Sequence, residues 1–145
     1  MKFRRHLIYA PAFASLLLPV LMSEFSDCDA LVAVPLHRWR YITRGFNQAA
    51  ELCCELVAHT GLPSFAGAVR VRSTKTQSGL TSALRKKNLR GAFAMQGKLH
   101  ARFPLIVDDV ITTGATCEHL AIALRGAGAE KVGVLTVARS STIVN

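Results

Sequence analysis

The sequence predicts an α/β fold: a mostly parallel, twisted sheet with helices on both faces. Short apolar runs of strand length recur at 30–36, 65–72, 104–108 and 131–138. Stretches with helical periodicity, 47–61 and 116–129, alternate with them, which is the pattern of a parallel sheet with crossover helices. The chain has 145 residues, 50% hydrophobic and 19% charged, enough for one globular domain with a core. No repeat or linker divides it, so the expected organisation is a single domain over 1–145, with 1–28 as an N-terminal helix or hood and 30–139 as the core.

The N-terminal stretch "MKFRRHLIYAPAFASLLLPVLMSEF" imitates a secretory signal, with a basic start and an apolar run from Leu7 to Met22. Two prolines interrupt that run, it is short for a membrane span, and no small-residue cleavage site follows. Phe3, Leu7, Ala10, Ala14, Leu17 and Leu21 fall on one helical face, so a packed amphipathic helix is the preferred reading, with Pro11 as a kink or as the true start. Its apolar density leaves room for it to cover either a second subunit in a homo-oligomer or a missing N-terminal region. "ALVAVPL" (30–36) is a buried strand stopped by proline, and "HRWRYITRGFN" a basic loop. In "NQAAELCCELVAHTG", Asn47 caps a helix that buries Ala49, Leu52 and Leu56 and ends at Gly61 and Pro63. "FAGAVRVR" (65–72) is the second strand. The polar, basic segment 73–93 is a long loop with a helical turn near 82–89. "PLIVD" (104–108), a helix ending at Gly126 or Gly128, and "KVGVLTVA" (131–138) complete the order.

Lys and Arg outnumber Asp and Glu by 18 to 9, a net charge of +9, which favours anionic partners such as nucleic acid or a polyphosphate. The four cysteines, Cys28, Cys53, Cys54 and Cys117, form no C-x-x-C pair, which excludes a zinc framework and a disulfide scaffold. Cys54 and Cys117 read as small core hydrophobes, and a reducing cytoplasm is the expected location. No stable membrane insertion is expected.

The stretch "FPLIVDDVITTGATCEHL" carries the chemistry. Ligands of open α/β sheets bind beyond the carboxyl ends of the strands. Asp108 ends the third run and Asp109 begins the loop after it. Two carboxylates there suit a vicinal diol, whose hydroxyls donate to anionic oxygens. The following "TTGAT", Thr112, Thr113, Gly114, Ala115 and Thr116, leads into a helix; its backbone N–H groups, hydroxyls and positive helix end suit a phosphate. A ribose 5-phosphate satisfies both halves. The alternative, a turn with a helix cap, accounts for the Thr and Gly but not for the acid pair. With no Gly-Lys-Ser/Thr, a Walker-type nucleotide loop fits poorly.

"PLIVDDVITTGAT" resembles the phosphoribosyl-diphosphate (PRPP) signature of type I phosphoribosyltransferases. With "VPLHRWRYITRGFNQA" and "TQSGLTSALRKKNLRGAF" the likeness narrows to the competence-associated ComF/GntX family and runs from about Leu31 to Arg139. It implies a type I phosphoribosyltransferase-like fold with a flexible loop and a minimal hood. It further implies Mg²⁺-dependent transfer of a phosphoribosyl group from PRPP with release of pyrophosphate, linked to DNA uptake or utilisation. Under it Asp108 and Asp109 bind the ribose and 112–116 the 5-phosphate. His37, Arg38 and Arg44 lie in the place of the pyrophosphate loop, with Arg40 a weaker candidate. The segment 73–93 is the closing lid, with Gln77, Arg85, Asn88 and Arg90 at its prominent positions. Arg44, Arg85 and Arg90 are the implied catalytic cations, and Mg²⁺ is held mainly through PRPP, with Asp108 and Asp109 nearest it. Asn47 and Gln48 either contact ligand or cap the helix; Trp39 and Tyr41 either stack on a base or pack on the scaffold. Family members commonly begin with a cysteine-rich, zinc-finger-like segment; the cysteines here form no such set, so zinc is not implied. Two readings compete: a transferase, and a non-catalytic module that senses PRPP or a nucleotide while its basic surface meets single-stranded DNA or a competence-machinery protein.

Overall fold

The computed structural model describes residues 9–36, 46–71 and 91–140. Its centre is a parallel sheet of three strands in the order β1 (Ala30–Ala33), β4 (Pro104–Ile111), β5 (Gly133–Arg139). Leu31 pairs with Leu105 and Leu105 with Gly133, so the runs found in the sequence lie side by side in register. The middle strand is buried on both faces, with Leu105, Ile106 and Val107 at 0% exposure, which is why it reads as a continuous apolar run rather than an alternating one.

Strand alternation divides the core. Leu31, Leu105, Val107 and Leu135 face helices α1 (Tyr9–Glu24) and α2 (Gln48–Thr60). Val32, Ile106 and Val134 face α3 (Ala115–Gly126) on the other side. Helices therefore cover both faces. Gly133 stands where no larger residue fits: an added Cβ would lie 2.8 Å from Leu105 Cδ1 and from Phe25 Cε1.

Helix α1 buries Ala10, Ala14, Leu17 and Leu21, the four described positions of the expected face. Pro11 sits in the first turn, where its missing N–H costs nothing. Pro19 lies mid-helix on the exposed side, where water can serve the freed carbonyl. A second stripe, Tyr9, Phe13, Leu16 and Val20, is exposed, so the helix is apolar well beyond its buried face. Among the described residues no helix is long and apolar enough to cross a membrane.

Helix α2 begins as its sequence indicates. Asn47 accepts from the Ala49 N–H at 3.1 Å, and its amide donates to the Val34 carbonyl at 3.0 Å, tying the helix start to the end of β1. Asn47 thus caps the helix, one of the two roles open to it. Gly61 closes the helix in the left-handed region, φ 70°.

Three expectations are corrected. The run 65–72 forms only a short strand β2 (Ala68–Arg70), outside the parallel sheet, paired antiparallel with β3 (Phe93–Met95), a strand the sequence did not announce. Strand β4 does not end at Asp108: it continues through both acids to Ile111, because β5 is long enough to pair with Val110 and Ile111. Cys54 is exposed rather than in the core, because the buried face of α2 runs through Ala49, Leu52, Cys53 and Leu56 and takes the neighbouring cysteine. Cys28, Cys53 and Cys117 are buried.

Candidate functional site at the carboxyl end of β4

Strand β4 leaves the core as Val107 gives way to Asp108, which is half-buried. Ile106 faces α3, so alternation sends Asp108 to the same side, where that helix begins. Asp108 Oδ1 accepts the Asp109 N–H at 2.9 Å, and Asp109 Oδ1 accepts the Val110 N–H at 2.9 Å. The Cys117 thiol donates to Asp108 Oδ2 across 3.9 Å. Burial, and then the neighbouring Asp109 carboxyl, push Asp108 up to about 7; the Asp109 N–H only partly opposes them. Burial and the adjacent Asp108 charge push Cys117 up to about 12, so it stays a thiol and acts as a donor.

After Ile111 the chain turns through Thr112 and Thr113 to Gly114, which caps α3 at φ 78°. Only Ile111 Cγ2, at 3.9 Å, would touch a Cβ there, so backbone conformation rather than space favours glycine. No side chain caps the helix: the Ala115 N–H reaches Thr113 Oγ1 at 3.4 Å, and Glu118 is the first to bond back, to the Gly114 carbonyl at 2.9 Å. The N–H groups of Thr116 and Cys117 thus belong to the first turn, whose donors have no acceptor within a helix, at its positive end.

Asp108 and the stretch 110–117 line one open pocket of about 50 Å³. Its enclosed part admits one or two water-sized groups, and a larger ligand would extend into the mouth. The structure brings Asp108, Thr112, Thr113, Gly114, Ala115 and Thr116 together here and adds Val110, Ile111 and Cys117. Asp109 is the next residue along the strand but does not line the pocket. The cations expected to serve the site, Arg38, Arg44, Arg85 and Arg90, lie outside the described residues, as do His37, Trp39, Arg40, Tyr41, Gln77 and Asn88. Sequence reasoning missed Cys117 as a partner of Asp108, since nothing in a residue string marks a contact that depends on how α3 folds back over β4. Among the described residues no group of three or more His, Cys, Asp or Glu is placed to hold a metal ion.

No family model matches the chain. Individual proteins do. The chain is 40% identical over 146 residues to the DNA utilization protein YhgH of Salmonella typhi, a match covering 97% of this chain and 64% of the relative. It is 37% identical over 116 residues to competence protein F of Haemophilus influenzae, covering 77% of this chain and 51% of that protein. The chain thus spans under two thirds of the length of these relatives. Among solved structures it superposes on the glutamine PRPP amidotransferase of B. subtilis with a TM-score of 0.59 and 21% identity, over 91% of this chain and 26% of that one. It superposes on the orotate phosphoribosyltransferase of Aeropyrum pernix with a TM-score of 0.54 and 17% identity, over 88% of this chain and 70% of that one. At these identities the solved structures speak for the fold alone, which is phosphoribosyltransferase-like, and the chain is similar over most of its length to proteins named for DNA utilization and competence.

Proposed function

We propose that the chain binds PRPP, or a nucleotide containing ribose 5-phosphate, at the end of β4 and transfers the phosphoribosyl group with loss of pyrophosphate. The observation that carries this reading is the meeting of a half-buried carboxylate, Asp108, with the glycine-capped start of α3 in a single pocket. The Thr112–Thr116 turn would hold the 5-phosphate on backbone N–H groups and hydroxyls. Asp108, with Asp109 beside it, would accept hydrogen bonds from the ribose diol. Arg44, with His37 and Arg38, would hold the diphosphate, and Arg85 and Arg90 would add positive charge where the leaving group gains electrons and exclude water from the sugar.

The residues present suit Mg²⁺ only as a shared ion. Two adjacent carboxylates, and no third ligand among the described residues, match a metal that keeps its waters and is held chiefly by substrate oxygens. When bound, Mg²⁺ would supply charge neutralisation on the diphosphate. The names of the relatives support a link to DNA utilization or competence. They also favour a second reading, a non-catalytic module that uses the same pocket to sense a nucleotide. Titration calorimetry with PRPP and Mg²⁺, followed by a screen for pyrophosphate release across candidate acceptors, separates the two: binding with release marks a transferase, binding without release a sensor. Folded protein that does not bind PRPP overturns both.

A further inference from the structure

The pairing of β4 with β5 is interrupted at Asp109. Asp108 pairs with Thr136, Val110 with Ala138 and Ile111 with Arg139, but the register skips the residue between. There side chains also bond the backbone. The Asp109 N–H goes to Asp108 Oδ1 and the Val110 N–H to Asp109 Oδ1. The Asp109 carbonyl accepts from Thr136 Oγ1 at 3.1 Å. That hydroxyl also lies 3.1 Å from the Ala138 carbonyl, so its one proton bridges the carbonyls on either side of the gap.

From this we infer that Thr136 is a positioning residue for the acid pair and thereby sets the preference of the site for a ribose over a 2-deoxyribose phosphate. The inference rests on the ribose-phosphate reading above. The bonds from the Val110 N–H to Asp109 Oδ1 and from Thr136 to the Asp109 carbonyl fix the peptide between Asp109 and Val110, which adjoins the Asp109 N–H held by Asp108 Oδ1. The orientation of that peptide and the aim of both carboxylates are therefore one coupled arrangement. Thr136 is the only member contributed by another strand, and it does not line the pocket. Without its hydroxyl the Asp109 carbonyl loses this donor, the Asp109–Val110 peptide shifts, and the carboxylates lose their aim at the sugar hydroxyls. The turn 112–116, which holds the phosphate, is left as it was.

The test uses the full chain and its Thr136→Val, Thr136→Ala and Thr136→Ser variants, titrated with ribose 5-phosphate, 2-deoxyribose 5-phosphate and inorganic phosphate. Melting curves identify the variants that fold, and two hydroxyl-removing variants keep the result independent of either one. The wild type is expected to prefer ribose 5-phosphate. Thr136→Val and Thr136→Ala should lower that preference by roughly fivefold to tenfold, Thr136→Ser should keep it, and affinity for phosphate should change less than about twofold throughout. Equal weakening of all three ligands would mean a merely structural threonine and overturn the inference. An unchanged preference in the hydroxyl-free variants overturns it alone. A wild type that binds both sugar phosphates equally overturns this inference and the ribose-site reading together.

Discussion

Asp108 sits near its half-ionised point at neutral pH, and two outcomes follow with opposite signs. A diol donates to a carboxylate, so ligand favours the ionised form: affinity for ribose 5-phosphate should rise by up to about tenfold from pH 6 to pH 8, and Asp108→Asn should abolish that part of the rise. Titration calorimetry at fixed ionic strength measures both; the variant also corrects for the ligand's own phosphate ionisation. Stability runs the other way. The carboxyl ionises near 3.8 when unperturbed and near 7 in the fold, so between those values the folded chain holds a proton that the unfolded chain has released. Folding stability therefore falls as pH rises through this window. Asp108→Asn should melt higher than the wild type at pH 8, by on the order of 1–2 kcal/mol after allowance for the partly exposed setting, and nearly equally at pH 4. The acid pair and the Thr-Thr-Gly turn were legible because their chemistry is local, a carboxylate or a flexible turn at a fixed spacing. Cys117 and Thr136 were not, because each acts on the acids from a different element. Cys54 was misread although the signal was present: of two adjacent helical residues only one can join a face spaced three and four apart, and Leu52 and Leu56 select Cys53.

At the scale of elements, a carboxylate far from the pocket holds the sheet in register. Asp29, just before β1, accepts the backbone N–H of Arg102 at 2.7 Å and of Phe103 at 2.9 Å, just before β4. Asp29→Ala leaves both donors to water and should cost about 1–3 kcal/mol in a denaturant melt, with no change in ligand affinity beyond that of the folded fraction. Helix α3 offers the complementary case. Gly114→Ala has room for its methyl group but must hold φ near 78°, so about 1 kcal/mol of stability should be lost, along with several-fold in phosphate affinity as the cap relaxes. Strand and helix identities were readable because periodicity reports burial. The end of β4 was not, since acids look like a terminus until a long partner strand is known to continue past them. Strand β3 has only three residues, and its pairing with β2 depends on contacts across a segment whose sequence is mostly polar.

For the molecule as a whole, the sheet's two apolar faces set the order of the helices, and the surface charge of +9 sets the long-range field. Two kinds of anion binding should then separate. Single-stranded DNA held by the basic surface should weaken steeply with added salt and survive Asp108→Asn combined with Asp109→Asn, whereas PRPP binding should be lost in that double variant. Fluorescence anisotropy at several salt concentrations makes the comparison, and loss of DNA binding in the double variant would place the nucleic acid in the pocket instead. The placement of the cysteines has a practical side. With three thiols inside and Cys54 facing solvent on α2, a maleimide dye should attach at a single position, and two copies stored in air should join tail to tail through that sulfur. A dimer that vanishes on adding reductant is then a product of oxygen, not an assembly of the folded chain.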